Sequence, residues 1–124
     1  MADKIRSAHS SAASFTELVH ELSEVGVDSY TIDVASGIFI YRFNDGRREI
    51  HSSEFEPRKV TLYFDIEHLK KAINKLKEGD YDGVSFLNNM AKSGVRMVEV
   101  VLGDLERRMI YMGLGGHLID SLKE

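Results

Sequence analysis

Apolar and polar positions change period along the chain, and each change marks an element. Phe15, Leu18, Val19, Leu22 and Val25 recur at three- and four-residue intervals, the spacing of a helix with one buried stripe. Ser14 followed by Glu17 has the spacing of a capping box, and Gly26 supplies a stop. Tyr30, Ile32 and Val34 then alternate with Thr31 and Asp33, which predicts a half-buried strand. After "ASG", Ile38 to Phe43 is apolar on both faces except at Arg42. "NDG", Asn44 to Gly46, predicts a tight hairpin with positive φ angles before a strand over Arg47 to Ser52. The first half thus ends in a three-stranded meander.

The only Pro lies in "SSEFEPRK", which marks the passage to a second half. Val60 to Phe64 looks extended. Asp65 is positioned to cap a helix striped by Ile66, Leu69, Ile73 and Leu76, with Lys70, Lys71, Lys75 and Lys77 gathered toward its negative end. Another helix is expected from about Asp82 to Ser93, ending at Gly94, and strands over Val95 to Leu102 and Arg108 to Met112, with "GDLE" as the turn between them. The closing "GLGGHLIDSLKE" fits either a short strand or a fraying helix.

The helix end and strand at "MAKSGVRMVEV" repeat those at "LSEVGVDSYTI". Adding 68 to the position (94 − 26) carries Gly26 to Gly94, Leu22 to Met90, Tyr30 to Val98 and Ile32 to Val100. Adding 70 carries Phe39 to Met109 and Tyr41 to Tyr111. A helix from Asp3 to about Ser10 would match the one from Asp65. The expectation is one α+β domain over residues 1–124, built from a duplicated helix-helix-strand-strand-strand unit with halves at about 1–59 and 60–124. Its sheet is mainly antiparallel, with helices on one face.

On that reading Tyr30, Ile32, Val34, Phe39 and Tyr41, with Val98, Val100, Leu102, Met109 and Tyr111, face the helices. Ile38, Ile40, Met97, Val101, Ile110 and Met112 face away, as an apolar patch larger than monomers usually expose. They are the candidate partner or ligand surface, and a homodimer is the simplest cover.

Composition narrows the chemistry. A hydrophobic content of 43% with 29% charged residues is ordinary for a soluble domain. The absence of Cys removes disulfides, thiolate nucleophiles and Cys-based metal sites, and fits the cytoplasm. The opening stretch lacks the apolar core of a signal peptide, and no run approaches a membrane span, so neither export by that route nor a membrane is expected. A net charge of −4 argues against non-specific nucleic-acid binding. The five His residues lack paired ligand spacing, so no metal or other cofactor is expected. His20 and His68 read as solvated. Arg47, Glu49 and His51 share one strand face at period two and, with Tyr41 and Tyr111, form a weak candidate polar site that a solvated hairpin edge also explains. No catalytic residue is assigned. "GLGGH" resembles a phosphate loop, but too little chain follows it, and a hairpin turn is the stronger reading.

The runs "IRSAHSSAASFTELVHELSEVGVDSY", "FNDGRREIHSSEFEP" and "GDYDGVSFLNNMAKSGVRMVEV" together resemble the YdfO/YbcV-like family of uncharacterised bacterial and prophage proteins. Some of its members are labelled phage envelope protein. The resemblance covers nearly the whole chain and implies a small α+β domain without an established activity. Members carry Cys in the second-half helix, where this chain has Met90, so any thiol role does not extend to it. The resulting expectation is a non-catalytic binding or regulatory module. The alternatives are a small-molecule-binding protein or enzyme with its pocket between the halves, and a phage-derived structural protein.

Overall fold

Ser14 opens the first helix of the described residues by capping it: its Oγ accepts from the Glu17 N–H at 3.2 Å, and α1 runs Phe15–Glu24 with Phe15, Leu18, Val19 and Leu22 buried. The computed structural model describes residues 14–52, 56–78, 83–103 and 107–121. The expected helix from Asp3 to Ser10, the "GDLE" turn and most of the "SSEF" passage lie largely or wholly outside these residues. Beyond α1 come β1 (Val27–Asp33), β2 (Ile38–Phe43), β3 (Arg48–Ser52), α2 (Ile66–Lys77), α3 (Gly83–Lys92), β4 (Val95–Val101), β5 (Arg108–Gly113) and β6 (His117–Ser121). Within the closing segment, His117–Ser121 is therefore a strand.

The fold is α+β: three helices among the described residues and one six-stranded antiparallel sheet in the order β3-β2-β1-β4-β5-β6. Alternation decides which strand residues enter the core. Tyr30, Ile32, Phe39, Tyr41, Val98, Val100, Met109 and Tyr111 are buried in one cluster with Leu18, Leu22, Leu69, Leu87 and Met90 of the helices. Tyr30 and Tyr41 face each other across β1 and β2 with ring centroids 5.2 Å apart.

The two central strands share their irregularities. β1 slips register between Val27 and Ser29, and β4 between Val95 and Met97. Each bulge residue accepts a bond from beyond the other strand's end: Val34 N–H donates to Arg96 O at 3.0 Å and Leu102 N–H to Asp28 O at 2.8 Å.

Two local expectations change. In "NDG" only Gly46 has positive φ (+92°) among the three residues. Gly46 N–H bonds Phe43 O and Phe43 N–H bonds Arg47 O, the pattern of a longer hairpin loop closed by a left-handed Gly. Val60 to Phe64 forms no strand. Thr61 N–H bonds Ala91 O and Asp65 N–H bonds Ser93 O, so this strap directs its donors to the end of α3. It meets Gly94 so closely that a Cβ there would lie 2.7 Å from the Tyr63 carbonyl carbon.

Candidate functional site

The sheet face opposite the core carries three rows of side chains, fixed by strand register. The middle row runs Ile50, Ile40, Thr31, Glu99, Ile110, Ile119 from β3 to β6. One outer row holds Ile38, Asp33, Met97 and Met112, and the other Arg42, Ser29, Val101 and Arg108. All six residues of the expected apolar patch therefore lie on this face. They are not continuous: Ile38 and Ile40 flank one side of a polar centre, and Met97, Val101, Ile110 and Met112 the other. Arg42 bridges that centre, donating to Thr31 Oγ1 at 2.8 Å and approaching Glu99 Oε1 at 3.9 Å.

Sequence reasoning missed the two ends of the middle row, Ile50 and Ile119, which are 72% and 57% exposed. The signal was present in "REIHS" and "HLIDS", where an isoleucine occupies the central position of each short edge strand.

The weak polar candidates divide. Glu49 and His51 point from β3 toward the core side and are half-buried, with His51 Nε2 at 3.6 Å from Glu49 Oε2. The His51 ring stands edge-on to Tyr41, centroids 5.3 Å apart. Arg47 precedes the strand and belongs to the turn instead: its Nε donates to Asp45 Oδ2 at 2.7 Å and its guanidinium covers the Phe43 ring. The Arg47 backbone and side-chain bonds hold the Asp45 carboxyl below its usual pKa. Tyr111 stands on β5, with β1 and β4 between it and Tyr41 on β2. It is fully buried and donates to Met109 Sδ at 3.2 Å. The structure thus brings Glu49, His51 and Tyr41 together, and leaves Arg47 in the turn and Tyr111 on a separate strand.

Burial, and after it the charge of Asp120, pushes the Tyr111 phenol above its ordinary value of 10. The folded form thus keeps a proton that the unfolded chain loses from about pH 10 upward, so stability is full below that pH and falls above it. Tyr111→Phe removes this component. Its denaturation midpoint should fall less than wild type's between about pH 9 and 11; equal falls would disprove the assignment.

His68 is not a solvated residue. Its Nδ1 lies 2.7 Å from Ser93 Oγ, and the buried Ser93 hydroxyl donates to Asn89 O at 2.8 Å. With that proton committed, His68 Nδ1–H is the donor of the pair. His20 is exposed and pairs with Glu24 one helical turn on. Among the described residues no group of three or more His, Asp or Glu is placed to hold a metal, and no helix is long and apolar enough to cross a membrane. Two of the three glycines of "GLGG", Gly113 and Gly116, have a packing reason. A Cβ on Gly113 or Gly116 would fall 2.6 or 2.8 Å from the Phe64 ring, and Gly113 N–H closes the β5–β6 hairpin onto Gly116 O.

With this geometry in view, comparison with known families places the chain. It belongs to the family described as protein of unknown function (DUF1398), which matches residues 3–119. No curated protein matches it. The DUF1398 match spans β1 to β5 and ends within β6, so it takes in both meanders and not one half alone.

Proposed function

We propose that this DUF1398 protein is a non-catalytic binding module that associates with a second copy of itself through the outer face of its sheet. The observation that carries this is the middle row, in which two isoleucines stand at each end and a polar pair at the centre. The row is a palindrome in chemistry. A two-fold axis along the strands, between β1 and β4, sets Ile50 and Ile40 over the partner's Ile119 and Ile110, and Thr31 over the partner's Glu99. Such isologous pairing is what a two-fold dimer requires.

Two further features support it. Six strands at ~4.8 Å spacing and five positions at ~3.4 Å give a face of roughly 29 by 17 Å, or about 1,000 Å² over two partners, the lower bound for a specific interface. The central charges are also answered within the face: Arg42 serves Glu99, and Asp33 accepts from the Ser36 N–H and hydroxyl. Covering them therefore leaves no isolated ion. Arg48, Arg108, Ser52 and Ser121 supply a polar rim, as protein interfaces have.

Light scattering on the full chain should give twice the 14.0 kDa chain mass. Ile110→Lys, at a position half-exposed in the monomer, should keep the circular dichroism spectrum and weaken association at least tenfold, since a charge must then be desolvated. A wild-type protein that stays monomeric at high concentration would overturn the proposal.

The same symmetry supports reading the chain as a duplication. α1 and α3, and β1 and β4, match in length and differ by 68 in both bounds. The paired bulges and the reciprocal bonds of Val34 and Leu102 follow the same shift. Gly26 and Gly94 both take positive φ, +92° and +78°. The helices then cover one face because each half brings its own, leaving the other face for a partner.

A further inference from the structure

Sulfur in this chain is confined to methionine: there are five Met and no Cys. Met90, Met97, Met109 and Met112 lie among the described residues, and the fold sorts them into two pairs. Met90 and Met109 are 0% and 1% exposed in the core, and the Met109 sulfur also accepts the Tyr111 hydroxyl. Met97 and Met112 stand opposite each other on β4 and β5, on the outer face, where Met97 is 37% exposed and Met112 half-buried. Oxidation follows access, so the fold opens one pair of thioethers to reaction and shields the other. We propose that Met97, with Met112 beside it, is a reversible oxidation site that controls self-association, an inference that rests on the sheet-face dimer.

The oxidant is hydrogen peroxide. The thioether sulfur attacks one peroxide oxygen: an S–O bond forms, the O–O bond breaks, and the sulfur gives up two electrons. The second oxygen leaves as water, carrying both hydrogens. In the return step two thiols supply the two electrons and become a disulfide, and the sulfoxide oxygen leaves as water.

The product is polar where the reactant was apolar. Its oxygen is an acceptor with no proton to give, so burying it requires a donor. The neighbours of Met97 along its row are Asp33 on β1 and Met112 on β5, and neither side chain donates at neutral pH. The two-fold axis of the dimer sets the partner's Asp33 over Met97 and the partner's Ile38 over Met112. Asp33 already accepts the N–H and hydroxyl of Ser36, so a sulfoxide on Met97 adds an acceptor to an acceptor. Met112 differs, because its register partner on β6 is His117, whose ring N–H is a donor on that side. Met97 is therefore the residue through which oxidation acts. The dimer also sets when the reaction occurs: the covered face shields Met97 and the separated chain exposes it. Sulfoxide then holds the chains apart until it is reduced.

The test treats the full chain with hydrogen peroxide at a series of protein concentrations, locates the sulfoxides by peptide mass mapping, and measures the dissociation constant by sedimentation before and after. At high dilution Met97 and Met112 should oxidise about tenfold faster than Met90 and Met109, and Met97 should react more slowly as concentration favours the dimer. Sulfoxide at Met97 should raise the dissociation constant about tenfold without changing the circular dichroism spectrum, and methionine sulfoxide reductases with a dithiol should reverse the rise. Met97→Leu, compared with its own untreated sample, should lose the response to peroxide, and Met112→Leu should keep it. Oxidation of all four residues at one rate, a dissociation constant unmoved by Met97 sulfoxide, a rise that the reductases do not reverse, or a Met97→Leu variant that responds like wild type would overturn this inference and leave the dimer standing. An untreated chain that stays monomeric at high concentration would overturn both.

Discussion

Gly94→Ala should destabilise the protein more than any other single-methyl addition among its described glycines. Two costs combine at this position. The backbone has φ +78°, a region where a Cβ costs roughly 1 kcal/mol or more. The new Cβ would also lie 2.7 Å from the Tyr63 carbonyl carbon and 3.0 Å from Phe64 Cα. These are backbone atoms, which no rotamer change can remove. Relief requires the strap to lift, and lifting it strains the bonds from Thr61 to Ala91 and from Asp65 to Ser93. The combined loss is expected at about 3 kcal/mol or more, which for a chain of this size lowers the melting temperature by roughly 10 °C. Gly46→Ala is the control. It has φ +92° but nothing within 4 Å of its Cβ, so it should lose only about 1 kcal/mol. Equal melting temperatures for the two variants would show that the close approach at Gly94 carries no weight.

Leu22→Ala and Met90→Ala form the second test. Both side chains are fully buried in the cluster that joins helices to sheet, at corresponding positions near the ends of α1 and α3. Truncation leaves a cavity in each case, and a loss of about 2–5 kcal/mol is expected for each. The shape of the transition is the more telling readout. If one core serves the whole chain, either variant lowers a single unfolding transition seen alike by circular dichroism and by tyrosine fluorescence. Two separated transitions in either variant would show that the halves fold as independent domains.

What the sequence disclosed follows from how local each signal is. The stripe of α1 and its Ser14 cap, the Asp65 cap of α2, the alternation of β1 and the apolar runs of β2, β4 and β5 are each encoded within a single element. Each stands where its period predicts. Val60 to Phe64 misleads for the complementary reason. Val60, Leu62 and Phe64 alternate like a strand, but the partners of this backbone are the carbonyls of Ala91 and Ser93 at the far end of α3, and Phe64 packs against glycines of the β5–β6 turn. The register that sets Ile50 and Ile119 in line with Ile40 and Ile110 is a pairing property, as is the separation of Tyr41 from Tyr111. Neither has a spacing to read. The bulge at Arg96 is also silent in sequence.

Central placement of the β1–β4 pair also has a kinetic side. Each three-stranded meander closes with short connections, but the sheet has no middle until two strands far apart in the chain come together. Until then each meander carries β1 or β4 as an open edge, available to the wrong neighbour. Long-range antiparallel pairing of this kind places folding in the slower range, milliseconds rather than microseconds. Capture of β1 by β4 within one chain competes, at high concentration, with capture of β1 by β4 of another.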